Sequence, residues 1–313
     1  MSEGTLLKAD LHVHTRFSPN TTFRALDARD SYSHPEAVYR TAKARGMDLV
    51  TFSDHDTIDG CLHFLDAHGE RSDFFISEEV ETYLPELTKA RIHVNVFGLD
   101  ERIHREIQYL RPNMFDLVAY LKKEKLLFSL NHIFRTSARD RTRMDGLIDR
   151  LLEEFDCFEV LNGSQLRAHN EFWQAAVERF RRQGRRKGFV GGSDAHTLRR
   201  VGTTFTAAPG STREDFLAAI RDGDTAVAGA HGDFFATAFD ALEVVLRYTK
   251  NVYFDNAERF PLPRRMRHMA VAGVMLPLSG IVSGVSTAVT FSKQTKMIRA
   301  LRQGSKDGEL PPF

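Results

Sequence analysis

Apolar and polar positions alternate through Leu11-His12-Val13-His14, within a stretch, Leu6–Thr15, that predicts a β-strand. In an extended chain, residues two apart share a face. Leu11 and Val13 therefore turn toward a core, and His12 and His14 point together to the other side. Further apolar runs predict strands at Asp48–Ser53, Phe74–Val80, Ile92–Gly98, Leu126–Leu130, Cys157–Leu161 and Phe189–Gly191. Helical periodicity lies between them, at Pro35–Arg45, Phe115–Lys123, Asp145–Glu154, Glu171–Gln183 and Arg213–Asp222. Gly46, Gly184 and Gly223 mark helix C-terminal ends. This alternation predicts an α/β protein, either a βα barrel or an open parallel sheet.

Composition narrows the class. The chain of 313 residues is 42% hydrophobic and 27% charged, enough for one large α/β domain with a smaller appendage. Its 43 basic and 42 acidic side chains nearly cancel, so no long-range field draws it to nucleic acid or membrane. The two cysteines, Cys61 and Cys157, exclude a disulfide framework and fit a reducing cytoplasm. Met1–Lys8 lacks the apolar core of a signal peptide. The expected location is cytoplasmic, with membrane association through residues 269–292 as an added option.

Histidines and carboxylates recur near the strand ends. They include His12 and His14, then Asp54-His55-Asp56, Glu78-Glu79, His93, Asn131-His132 and Ser193-Asp194-Ala195-His196. Loops at the C-terminal ends of barrel strands are where such folds place their chemistry. Imidazole is a common metal ligand, and buried carboxylates are costly unless paired or coordinating metal.

Taken in order, Asp10-Leu-His-Val-His-Thr15, Phe52-Ser-Asp-His-Asp-Thr57, Ile92-His93, Leu130-Asn-His132 and Gly192-Ser-Asp-Ala-His196 resemble the motifs of the PHP (polymerase and histidinol phosphatase) family. The resemblance covers about residues 6–235. It implies a distorted seven-stranded (β/α) barrel carrying a phosphoesterase site with two or three divalent metals, followed from residue 245 by a mainly helical appendage. By the same resemblance, His12, His14 and Asp194 hold a first metal and Glu79 bridges two, with Glu78 as its neighbour. His93 and His132 hold the second, His55 and His196 a third, and Asp54 orients a ligand. The family often has an Asp or His shortly after His-x-His-Thr. Here that stretch is Arg16-Phe17-Ser18-Pro19-Asn20, and Pro19 cannot ligate. Asn20, Asp27, Asp30 and His34 are the nearby substitutes.

Nitrogen and carboxylate donors without thiolate suit Zn²⁺, Mn²⁺ or Fe²⁺. The implied activity is hydrolysis of a phosphate ester, a small monoester, a nucleotide or an oligonucleotide end, by in-line attack of a metal-held hydroxide. Glu79, His196, His55 and Arg135 are the catalytic candidates, with Arg199 and Arg200 as further phosphate-binding cations. The competing class is a non-catalytic, metal-stabilised module anchored to a membrane or partner by its tail.

Two segments lie outside this scheme. The basic run Arg179–Lys187 reads best as a solvated helix end beside the C-terminal dipole, and less well as a nucleic-acid grip. From Met269 to Ser292 no residue is charged, a length that spans a bilayer. Pro277, the Ser and Thr content and Gly280-x-x-x-Gly284 fit a buried hairpin or a helix pair on a neighbouring chain equally well.

Overall fold

A computed structural model describes residues 5–20, 28–85, 91–132, 147–255 and 260–304. Two sheets organise it. One runs β1 (Leu6–Ala9), β7 (Thr204–Pro209), β8 (Ala226–Gly229), with antiparallel neighbours. The other is ordered β2 (Ser77–Tyr83), β3 (Arg91–Phe97), β4 (Leu127–Leu130), β5 (Cys157–Asn162), β6 (Gly188–Gly192). In it β2, β3 and β4 are antiparallel, and only β4–β5 and β5–β6 are parallel.

The mixed α/β class holds, but the ladders form sheets of three and five strands and do not close into a seven-stranded barrel. The predicted strand 48–53 and the distal half of 6–15 contribute isolated parallel bridges: Ala9 to Leu49, Val50 to Phe74, Val13 to Ala195 and His55 to Glu79. Side chains take the ladder's place there. Ser53 Oγ accepts from Val13 N at 3.0 Å, and Asp10 accepts from Ser193 N at 2.8 Å and Gly202 N at 2.7 Å. A carboxylate or hydroxyl that satisfies a buried backbone N–H leaves no strand partner to be made.

The helices follow local signals where caps are strong. α1 (Pro35–Ala44) begins on proline, and Gly46 just beyond its end has φ +79°. Later in the chain, α7 (Arg213–Asp222) has a Thr212–Asp215 capping box and ends at left-handed Gly223. Between them lie α2 (Asp59–His68), α3 (Glu101–Leu110), α4 (Met114–Lys123), α5 (Leu147–Glu154) and α6 (Arg167–Arg182). The sequence pattern missed α2 and α3; α3 buries only Ile103 and Ile107, a stripe too thin to read. The helix α6 starts four residues earlier than predicted, through buried polar His169 and Asn170. The core between α3–α6 and the larger sheet is built from Val94, Val96, Leu117, Leu121, Phe155, Phe158 and Trp173.

The chain continues into α8 (Phe234–Lys250), a π-helical turn (Asn251–Asp255) and α9 (Leu262–Gly304), a single helix that runs through Pro277. The helical hairpin is thus α8 with α9, and 269–292 does not fold back on itself. The basic run is ion-paired: Arg179 to Asp149 at 2.6 Å, Lys187 to Asp156 at 3.1 Å, with Arg185 and Arg186 facing Glu153 and Asp222.

Candidate metal centre

His12 and His14 lie just beyond β1, and each ring is fixed from behind. His12 Nδ1 is 2.7 Å from Glu159 Oε1 on β5, and His14 Nδ1 is 3.2 Å from Ser18 Oγ. Each Nε2 then faces inward. Both Nε2 atoms approach Asp194 Oδ1, at 3.6 and 3.5 Å, and Glu79 Oε2, at 3.3 and 3.5 Å. Asp194 sits past the end of β6 with φ +52°, a left-handed turn that aims its carboxylate back across the strand ends. Ser164 Oγ donates to its Oδ2 at 2.8 Å.

Strand alternation decides between the two glutamates. Glu79 faces the histidines and Glu78 the opposite side of β2, where its Oε2 meets His104 Nδ1 at 3.0 Å and Gln108 Nε2 at 3.1 Å. Glu79 is shared by five rings, His14 among them. Oε1 is 3.1 Å from His93 Nδ1 and 3.0 Å from His132 Nε2, and Oε2 is 3.1 Å from His55 Nδ1 and 3.3 Å from His12 Nε2. Asn131 Nδ2 donates to Oε1 at 3.1 Å.

Asp30, one of the substitutes weighed for the Pro19 position, enters the site. Its Oδ2 is 2.9 Å from His196 Nε2 and 3.1 Å from His55 Nε2. His196 is oriented by its Nδ1, 2.9 Å from the Asp194 carbonyl. Pro19 itself pairs through its backbone with Arg29.

Donor atoms within 4.8 Å of one another fall into four overlapping groups: His12–Glu79–His132, His12–His14–Asp194, His55–Glu79–His93 and His14–His55–His196. His93 and His132, the pair expected at a second metal, fall in different groups, yet both meet Glu79 Oε1 and their rings lie edge-on 5.1 Å apart. Asp54 accepts from Thr15 N and Oγ1, both at 2.6 Å; it fixes the backbone after His14 and orients no ring directly. Arg199 and Arg200 are ion-paired to Asp240 of α8, at 2.8 and 2.7 Å. Arg135 lies outside the described residues.

Burial and charge set the protonation states. Burial would raise the carboxyl of Glu79, but His12, His93, His55 and His132 hold it well below the usual range. Asp194 and Asp30 are likewise held down by neighbouring imidazoles against their burial. Burial, with His196 and His55 adding, pushes His14 down to about 3, and burial pushes His93 down to about 4. Burial also opposes charge on His12, yet Glu79, Glu159 and Asp194 carry it well above its usual value. His196, beside Asp30 and Asp194, is raised to about 9 despite its burial. Ionised carboxylates and neutral imidazoles are the forms that ligate metal.

At the centre, the buried atoms His12 Nε2, His14 Nε2, His132 Nε2 and Glu79 Oε2 find no hydrogen-bond partner among the described residues. Buried polar atoms are rarely left so. All four point into the same space, which fits divalent cations. Glu159, Asn162 and Ser164 were missed by sequence reading. Glu159, an acid inside the apolar strand Cys157–Leu161, carried a usable signal, since such a group needs a partner.

Residues 178–225 match the family model for PHP-associated segments. An uncharacterized protein of Methanocaldococcus jannaschii is 41% identical over 54 residues, which is 17% of this chain and 32% of that protein; the match thus spans about a third of the relative's length. A two-domain Bacteroides vulgatus protein containing a predicted PHP-like metal-dependent phosphoesterase is similar in structure, with 17% identity over 74% of this chain and 66% of that one, at a TM-score of 0.46. PsfC from Pseudomonas syringae gives 19% identity over 72% and 92% of the two chains, at 0.48. An amidohydrolase from Chromobacterium violaceum gives 17% over 62% and 89%, at 0.46.

Proposed function

We propose that this chain, whose residues 178–225 match the PHP-associated family model and whose histidine motifs follow in order, is a PHP-family metal-dependent hydrolase acting on phosphate esters. The observation that carries this reading is the set of inward-facing donor atoms around Glu79 that lack hydrogen-bond partners.

In this reading Glu79 is the shared ligand. His12 and His132 lie on one side of it, His55 and His93 on another, and Asp194 adds His12 and His14 to the cluster. His196 with Asp30 supplies a further donor set. Zinc, manganese or iron held there would polarise phosphoryl oxygens and acidify water. The protein's own part is to hold those donors rigid and dry. Among the described residues that meet at the cluster, His196 and Asp30 are partly exposed, at 19% each, whereas His12 and His14 are sealed. Substrate phosphate therefore approaches past His196 and Asp30. Glu159 fixes His12 as the tautomer whose Nε2 faces the site.

The test is elemental analysis of the purified chain, followed by assay with Mn²⁺ or Zn²⁺ on p-nitrophenyl phosphate, nucleotides and short RNA. Turnover that disappears in Glu79→Gln is expected. A chain that retains stoichiometric metal and turns over none of these esters would overturn the reading in favour of a non-catalytic module.

A further inference from the structure

The helix α9 is built inside out. Its buried side carries His268, Ser279, Ser283, Thr287 and Gln294, with Ala272 and Ile298 the buried apolar residues among them. Its outward side carries Val274, Leu278, Ile281, Val282, Val285 and Val289, with Val274, Ile281 and Val285 exposed by 67, 68 and 58%. The outward set repeats at i, i+4, i+7, i+8, i+11 and i+15, one helical face about 22 Å long at 1.5 Å per residue. A continuous apolar stripe facing away from the protein marks an interaction surface.

Charge along the same helix identifies the occupant. The helix Leu262–Gly304 contains no Asp or Glu, in a chain that has 42. Arg264, Arg265 and Arg267 precede the stripe; Lys293, Lys296 and Arg299 follow it. A second copy of α9 docked on this face, parallel or antiparallel, would bring basic end against basic end, with no acid on either helix to pair them. An anionic lipid surface meets both ends favourably.

The helix does not cross that surface. Its polar side is tied to the protein along its length: Tyr248 hydroxyl lies 2.9 Å from His268 Nδ1, and Gln294 Nε2 donates to Gln165 Oε1. The packed neighbour α8 carries Asp240, Glu243 and Arg247, which would be carried into hydrocarbon with it. We propose that α9 lies in the plane of a membrane, seating its Val274–Val289 face among the acyl chains of a bilayer that bears anionic headgroups.

Flotation of the full chain with vesicles of phosphatidylcholine and phosphatidylglycerol, three to one, tests this, beside vesicles of phosphatidylcholine alone. The wild type is expected to float with the anionic vesicles, less with the neutral ones, and less at high salt. The double variant Ile281→Glu, Val285→Glu should lose at least about tenfold in partitioning with its metal content and thermal midpoint unchanged, and Lys293→Gln with Lys296→Gln should narrow the preference for anionic lipid. Both variants lie on exposed positions, and light scattering reads their oligomeric state. A wild type that ignores vesicles and forms a dimer split by the glutamates would overturn the proposal in favour of a second copy. A monomer that ignores vesicles would overturn it as well.

Discussion

Glu159 and His12 form the shortest carboxylate–imidazole contact at the site, 2.7 Å between Oε1 and Nδ1, across 147 positions of sequence. The contact fixes which nitrogen of His12 faces inward. The second carboxylate oxygen is held by Asn162 Nδ2 at 2.9 Å, so the ring is clamped through two layers of side chains. Glu159→Gln keeps the shape and removes the charge. Metal affinity should fall about 10–100-fold, read by competition with a chromophoric chelator, with little change in the far-ultraviolet spectrum. Unchanged affinity would show that His12 needs no carboxylate behind it.

Glu78 and Glu79 offer an internal control. Glu79→Gln removes the charge common to five rings, and both metal content and turnover should collapse. Glu78→Gln affects the hydrogen bonds to His104 and Gln108 among the described residues and should leave metal content intact, at a stability loss of about 1–3 kcal/mol for a disturbed buried charged hydrogen bond. Equal effects of the two substitutions on metal content would contradict the strand register.

Asp30→Asn tests the donor set at the open side. Its carboxylate reaches both His55 and His196. Elemental analysis should show metal lost from the His14–His55–His196 group while the Glu79 groups stay loaded. Full retention of metal would remove Asp30 from the ligand set.

Chelation links the site to folding. Removing ions leaves Glu79, Asp194 and the inward imidazoles buried against one another, and bound ligand stabilises the native state by mass action. Dialysis against a chelator should lower the thermal midpoint, and readdition of Mn²⁺ or Zn²⁺ should restore it. A midpoint indifferent to chelator would mean that the metal-free centre is already satisfied.

What could be read from sequence divides along physical lines. The ordered motifs named His12, His14, His55, Glu79, His93, His132, Asp194 and His196, and the structure brings all of them into the overlapping donor groups. Period-2 alternation does that locally, as at Glu78 and Glu79. Which rings share a group depends on strand positions across the sheet, and no local pattern encodes it. Asp30 could be shortlisted but not chosen, because its approach depends on how a long loop folds back. The sheets failed to close as expected because Asp10 and Ser53 take hydrogen bonds that strand partners would otherwise make, a side-chain substitution that hydropathy cannot see. At α9 the run of apolar residues was visible, but which side faced outward was not.

His169 gives the site's surroundings an acid-sensitive element. The ring is fully buried in α6, and burial pushes its pKa down to about 3, against about 6.5 in the unfolded chain. The unfolded state therefore binds the extra proton first as pH falls. Stability from this residue is complete above about pH 6.5, declines between 6.5 and 3, and levels off below. At pH 4.5 the loss is about 2–3 kcal/mol. His169→Gln, which does not titrate, should show a smaller drop in urea midpoint between pH 7 and 4.5 than the wild type. His14 and His93 also have lowered values, so both proteins keep an acid limb, and only the difference between the two curves reports on His169. Superimposable pH profiles would show that the ring acquires a proton in the folded state as readily as in the unfolded chain.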